Sequence, residues 1–236
     1  MNLLIVKKSE LVSESTVLIS GRRVAHLNEI LDSSAGSELK VGLLGGKRGR
    51  GIIKKIDSES AEIELDLTDD PPEKLPLTVI IGLCRPKVLS RLISDLTSYG
   101  VQHIEIVKTF FGDKGYWTNE LFTPEGLFEA VVKGLEQSMD TIEPSVTLVK
   151  RFGPYSEDVL PNYSINSKCY IANPGAVEKL GDIAVSTPGC IAVGPERGFT
   201  KYEVNQFVKA GFKPVSLGER IIRTEAAVHV CVSKFL

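Results

Sequence analysis

The sequence predicts an α/β protein in which a parallel sheet with covering helices fills the C-terminal two-thirds and a small β-barrel domain precedes it. Three observations carry that reading. Leu77–Cys84 is a continuous apolar run, the mark of a strand covered on both faces. Lys87–Tyr99 then places Leu89, Leu92, Ile93 and Leu96 at helical spacing, and Val101–Val107 is a second strand, which completes a βαβ unit. Nearer the start, Ala61, Ile63, Leu65 and Leu67 alternate with Glu62, Glu64 and Asp66, the period of a half-buried strand. Between these two patterns lies Thr68–Lys74, acidic, proline-rich and poor in apolar residues, which reads as a linker. The expected division is a barrel domain over 1–70, a linker over 71–76 and a sheet domain over 77–236.

In chain order, strands are expected at Leu3–Val6, Thr16–Ile19, Glu38–Leu44, Gly51–Ile56 and Ala61–Leu67, with a short helix at Arg23–Leu31. In the second domain the helix after Leu77–Cys84 stops at Gly100. Residues 108–122 form an irregular stretch holding Phe110, Phe111, Tyr116 and Trp117. The last two are candidates for stacking on an unpaired base, although helix-packing aromatics in a long loop are the preferred reading. Thr123-Pro124-Glu125 opens a helix to about Met139. Further strands are expected near Val146–Lys150, Cys169–Asn173, Cys190–Val193 and Lys213–Leu217. Helices are expected at Pro174–Leu180, Lys201–Ala210 and Arg223–Phe235, the second opened by Thr200 with Glu203 three residues on.

Composition excludes several classes. At 42% apolar and 25% charged residues the chain has the make-up of an ordinary globular protein, and no apolar run approaches bilayer length. Met1–Lys8 reads as a first strand rather than a signal peptide. Cys84, Cys169, Cys190 and Cys231 are widely spaced in apolar surroundings, as befits buried reduced thiols. His26, His103 and His229 share no ligand spacing, so neither a metal nor a membrane is expected, and the cytoplasm is the expected compartment. The formal net charge of −2 hides one basic stretch: Lys40, Lys47, Arg48, Arg50, Lys54 and Lys55, interleaved with glycines and free of acids. It reads either as a phosphate-binding loop or as a solvated hairpin with edge-protecting lysines.

Two glycine turns carry the chemistry. Cys190–Val193 ends in Gly194-Pro195-Glu196-Arg197-Gly198, which fits neither the phosphate-loop nor the dinucleotide pattern but allows close backbone approach to a ligand. Leu217-Gly218-Glu219-Arg220-Ile221-Ile222 then leads into Arg223, Thr224 and Glu225 at a helix start, where Thr224 or Glu225 can cap. Both turns follow strand ends, the side of an open α/β sheet where small molecules bind.

G-P-E-R-G-F and L-G-E-R-I-I-R-T-E-A-A together resemble the two C-terminal signatures of the 16S rRNA uridine-N3 methyltransferase family, of the SPOUT class. Glu136-Gln137-Ser138 with Pro144, the Tyr99-Gly100-Val101 end of the first βα unit, Ala172-Asn173-Pro174 and the glycine-rich basic strand pair extend the resemblance over almost the whole chain. It implies a C-terminal α/β trefoil knot, an N-terminal PUA-like barrel, S-adenosylmethionine as cofactor, small-subunit ribosomal RNA as partner and a homodimer. Carried over, the cofactor-binding residues are Ala172, Asn173, Pro174, Gly194, Pro195, Glu196, Gly198, Leu217, Gly218, Ile222, Thr224 and Ala226. Arg223 would stabilise charge on the uracil, with Glu225, or less directly Glu196, orienting it or acting as base. Lys47, Arg48, Arg50, Arg85 and Arg220 would bind RNA. The chain departs from the family pattern at Arg197, Glu219 and Ala226, and at Asp32, Asp95, Ser98 and Asp140. A methyltransferase acting on tRNA or 23S rRNA, and a non-catalytic RNA-binding assembly factor, are the alternatives.

Overall fold

The structure is a computed structural model that describes residues 2–29 and 34–236, without the side chains of His26 and Glu29. Ile30 and Leu31 of the expected first helix, and Asp32, lie outside the described residues. The chain divides into two compact units, Met1–Glu73 with Val132–Glu143, and Lys74–Val131 with Pro144–Leu236.

The first unit is built on β1 (Leu4–Val6), β2 (Thr16–Ser20), α1 (Arg22–Glu29), β3 (Glu38–Leu43), β4 (Arg48–Ile56) and β5 (Ser60–Asp69). The strands form a five-stranded sheet in the order β1-β3-β4-β5-β2, with β1 parallel to β3 and the other pairs antiparallel. The expected barrel is thus a half-barrel here: β1 and β2 are its edges, and no pairing between them closes it among the described residues. Alternation along β5 does what its period requires, burying Ala61 and Ile63 while Glu64 and Asp66 face out. Both buried residues join Val6, Val17, Ile19, Val41 and Ile53 in one core. Val132–Glu143 belongs to this unit through backbone bonds, Leu3 N–H to Glu136 O at 3.2 Å and Gly45 N–H to Thr141 O at 2.8 Å. Buried Asp140, one of the departures from the family pattern, accepts the N–H groups of Thr141 and Ile142 at 2.7 and 2.9 Å, so its carboxylate shapes this turn.

The second unit runs β6 (Leu75–Gly82), α2 (Pro86–Ser98), β7 (Val101–Val107), the first half of α3 (Pro124–Ser138, which from Val132 belongs to the first unit), β8 (Ser145–Val149), α4 (Phe152–Asp158), α5 (Leu160–Asn166), β9 (Lys168–Ala172), β10 (Gly189–Val193), α6 (Lys201–Lys209), β11 (Lys213–Val215) and α7 (Thr224–Val232). Its six strands are all parallel, in the order β11-β9-β10-β6-β7-β8. β6 starts inside the stretch expected to be linker, because Leu75 already pairs with Val101. From β6 the chain steps outward to β7 and β8, then crosses to β9, and finally inserts β10 between β9 and β6. The central strands are apolar throughout, as strands covered on both faces must be.

Two sequence expectations fail here. Pro174–Leu180 is not a helix; it is a run of turns ending in a short 3-10 segment at Leu180–Asp182. Conversely, α4 and α5 were not foreseen; Pro161 sits in the first turn of α5, where its missing N–H costs nothing. Both helices are held by Glu105 of β7, a buried carboxylate that accepts the hydroxyls of Tyr155 and Tyr163. Burial and the adjacent carboxylate push both phenols well above their ordinary range.

α6 opens with the expected capping box. Glu203 Oε2 accepts Thr200 N–H at 2.8 Å while Thr200 Oγ1 accepts Glu203 N–H at 3.2 Å, and the other oxygen, Oε1, takes Phe110 N–H at 2.7 Å. Glu203 is buried, so it fixes a helix start and the loop after β7 together. Glu203→Ala is expected to lower stability in urea unfolding by about 2–4 kcal/mol, more than an exposed cap because buried donors lose their acceptor. A loss below about 1 kcal/mol would show that the second bond contributes nothing.

Candidate active site

The C-terminal ends of β9, β10 and β11 open into one cavity of about 310 Å³. Each contributes a loop: Ala172-Asn173-Pro174 after β9, Val193–Phe199 after β10 and Leu217–Ile222 after β11. Thr224 and Ala227 of α7 complete the wall. Parallel strands make this possible, because all their C-terminal ends lie at one edge of the sheet.

Two glycines decide the shape. A Cβ on Gly82 at the end of β6 would stand 2.3 Å from Pro195 Cδ, so only glycine lets the β10 loop cross over that strand. Gly218 has φ +117°, a conformation that side-chain-bearing residues rarely adopt, and it redirects the β11 loop toward α7. The loop after β10 closes on itself through Gly198 N–H to Pro195 O at 2.7 Å, and Asn173 is held by its own N–H to Val215 O at 2.9 Å.

The helix start differs from expectation. The N-cap position of α7 is Arg223, without a side-chain cap, so neither Thr224 nor Glu225 caps. Thr224 is the first helical residue, and its buried hydroxyl donates to Gly194 O at 3.3 Å, tying the helix to the β10 loop. Ala226 accordingly points away and is exposed, and Ala227, three residues after Thr224, lines the cavity instead. The buried phase Thr224, Ala227, Val228, Cys231 was readable from the sequence once the helix start was placed correctly.

All the other residues expected to hold the cofactor line this cavity, joined by Val193, Arg197, Phe199, Val204, Arg220 and Ile221. Arg220, expected to bind RNA, is therefore a wall residue. Arg197 lies over the ring of Phe111 at 4.2 Å, a cation–π contact between residues too far apart along the chain for local pattern to pair. Arg223 is exposed at the cavity's edge, next to Ile222, and has no ion-pair partner among the described residues. Glu225 does not orient Arg223: it pairs with Arg91 of α2. Glu196 accepts Arg85 N–H at 3.2 Å, with the Arg85 guanidinium 3.9 Å away. Both carboxylates face Cys84, just beyond β6, whose thiol is pushed up to about 12 by burial first, then by Glu196 and Glu225.

In the first unit, Arg48 turns inward at a β-bulge and donates to Met139 O at 2.6 Å, while Lys47 and Arg50 pair with Asp70 (3.9 Å) and Glu38 (3.2 Å). Both pairs are solvent-exposed. Tyr116 is half-buried and Trp117 packs on Phe122 with centroids 4.8 Å apart. Among the described residues no group of three or more His, Cys, Asp or Glu side chains could hold a metal. No helix of the described residues is long and apolar enough to cross a membrane.

Comparison with known proteins decides the family. Residues 71–236 match the model of the RNA methyltransferase domain. The chain is 30% identical to the ribosomal RNA small subunit methyltransferase E of Treponema pallidum, over 96% of this chain and 87% of that protein. It belongs to the ribosomal RNA small subunit methyltransferase E family. A member from Borreliella burgdorferi is 27% identical over 96% of this chain and 94% of its own. A crystal structure of the methyltransferase E of Neisseria gonorrhoeae, bound to S-adenosyl methionine, superposes with a TM-score of 0.77 at 26% identity, covering 99% of this chain and 95% of that one.

The thiol beside the two carboxylates yields a pH test. Cys84 has a higher pKa folded (about 12) than its ordinary value of 9.0, so the unfolded chain ionises first. Its contribution is fully present below pH 9.0 and is lost as pH rises toward 12. At pH 10.5, wild type should lose about 2 kcal/mol more stability relative to pH 8 than Cys84→Ala does, by urea unfolding. Equal losses would place the thiol in a more solvated setting than the structure gives it.

Proposed function

We propose that this protein is an S-adenosylmethionine-dependent methyltransferase of 16S ribosomal RNA. The observation that carries this reading is the three-loop cavity at the sheet's C-terminal edge, in a chain related over nearly its full length to small-subunit methyltransferases. The cavity suits the cofactor: Val193, Leu217, Ile222 and Ala227 offer an apolar wall, and Glu196 offers a negative charge to a cationic ligand. When bound, S-adenosylmethionine supplies an electrophilic methyl group. The residues of the three loops would hold it and exclude water from the transfer.

For the finer reading we propose uridine N3 as the target atom. The neutral imide nitrogen has no free lone pair, so its proton must leave. Arg223, exposed and unpaired at the cavity edge, would stabilise the resulting negative charge on a uracil carbonyl and lower the imide pKa. Glu225 and Glu196 remain the proposed proton acceptors, each held near the end of β6 by an arginine. Insertion of β10 between β6 and β9, with Thr224 bonding back to Gly194, supports the trefoil-knot reading. The first unit, residues 1–70 in our reading, would be the PUA-like RNA-binding part, and the methyltransferase domain would begin with β6. Lys47 and Arg50 remain its proposed phosphate contacts, together with Arg85 of the methyltransferase domain, in a cytoplasmic enzyme.

A homodimer is supported by α7. Ala226 and Val230 stand four residues apart on its outer face and are exposed, Val230 by 44%. A helix apolar on both faces is normally covered on both, and a second copy would cover this one.

Arg223→Ala should cut turnover at least 100-fold on 30S particles lacking the modification, read by nucleoside mass spectrometry, while calorimetric cofactor affinity changes less than about threefold. Full methylation by the variant would remove Arg223 from the mechanism. Methylation at another ring position would keep the enzyme and overturn the N3 assignment.

A further inference from the structure

A second depression lies at the same edge of the second unit, about 520 Å³ in volume, between the loop after β7, the start of α4 and the start of α6. Its rims are aromatic and uncovered: Phe110 is 74% exposed and Tyr202 57%, with Phe152 and Gly153 opposite. Bare rings of this kind lack an explanation in the packing. Lys108 lines the groove, Lys150 and Arg151 immediately precede Phe152, and Lys201 immediately precedes Tyr202. None of these four cations has a carboxylate partner among the described residues, and the one acid in the lining, Glu203, is buried and committed to backbone donors. Thr109, in the lining, keeps a buried hydroxyl without a hydrogen-bond partner.

The groove is also continuous with the cavity already described. Phe110 meets Phe111 edge-to-face at 5.2 Å, Phe111 carries Arg197 over its ring, and Arg197 lines the cofactor cavity. An aromatic platform flanked by unpaired cations is the chemistry that holds single-stranded nucleic acid, because every base has a stackable face and every nucleotide a phosphate. A protein partner would use the rings but has no general call for the cations. We infer that this groove seats an unstacked nucleobase of the RNA strand flanking the nucleotide that enters the cavity, stacked against Phe110 and Tyr202 with its phosphates near Lys108, Lys150, Arg151 and Lys201. The inference deepens the proposed function and rests on it for the nature of the strand.

Full-length protein with saturating S-adenosylhomocysteine is titrated into a fluorescein-labelled twelve-nucleotide oligouridylate and followed by anisotropy. Phe110→Ala/Tyr202→Ala should weaken binding by about tenfold or more, whereas the ring-retaining Phe110→Trp/Tyr202→Phe stays within about twofold. Lys150→Glu/Arg151→Glu should reduce the salt dependence of binding by about one to two units of logarithmic slope. Calorimetric cofactor affinity, unchanged in all three variants, shows an intact fold. Wild-type RNA affinity in the alanine variant overturns the inference, and so does a shift of that variant toward monomer in sedimentation without loss of RNA affinity, which would assign the groove to a second copy. A wild-type protein that binds the oligonucleotide through the groove but has no affinity for S-adenosylmethionine would refute the proposed function and leave the groove standing.

Discussion

The passage of Pro195 over Gly82 is the constraint on which the second unit depends. A strand in the middle of a parallel sheet normally ends freely, but here the loop of its neighbour β10 crosses within a distance that no side chain at Gly82 would allow. That crossing sets where Gly194 presents its carbonyl, and the carbonyl in turn receives Thr224 and so fixes the start of α7. The chain of consequence runs from one missing methyl group to a helix some 140 residues later. None of it involves burial of large area; it rests on steric permission and one buried hydrogen bond.

Polar groups do more positioning here than the count of apolar side chains suggests. Glu203 joins a helix start to the loop after β7, Glu105 gathers two tyrosines from α4 and α5, and Asp140 shapes a turn in the first unit. Buried carboxylates of this kind are costly unless hydrogen-bonded: Glu203 takes backbone amides and the Thr200 hydroxyl, Glu105 takes two phenols, and Asp140 takes two backbone amides. At the cavity, Arg197, Arg220 and Arg223 have no carboxylate partner among the described residues.

How much of this was legible in the sequence follows from the range of the interactions involved. Periodicity is local, so β5, β6, α2, β7 and α6 were readable to within a residue or two, and glycine turns marked two of the three loops around the cavity. What failed was what local pattern cannot encode. Pro161 looks like a breaker but occupies a first turn, and Pro174–Leu180 has apolar residues at a helical spacing without the packing to make them a helix. Ala226 and Ala227 are indistinguishable until the helix start is known to one residue. The partners of Glu225 and Arg48 lie far away in sequence and were beyond any such reading.

α7 presents Thr224 and Ala227 to the cavity and Ala226 and Val230 to the outside, across the width of a single helix. A ligand in the cavity and any neighbour seated on the outer residues would therefore touch opposite sides of the same two turns of helix.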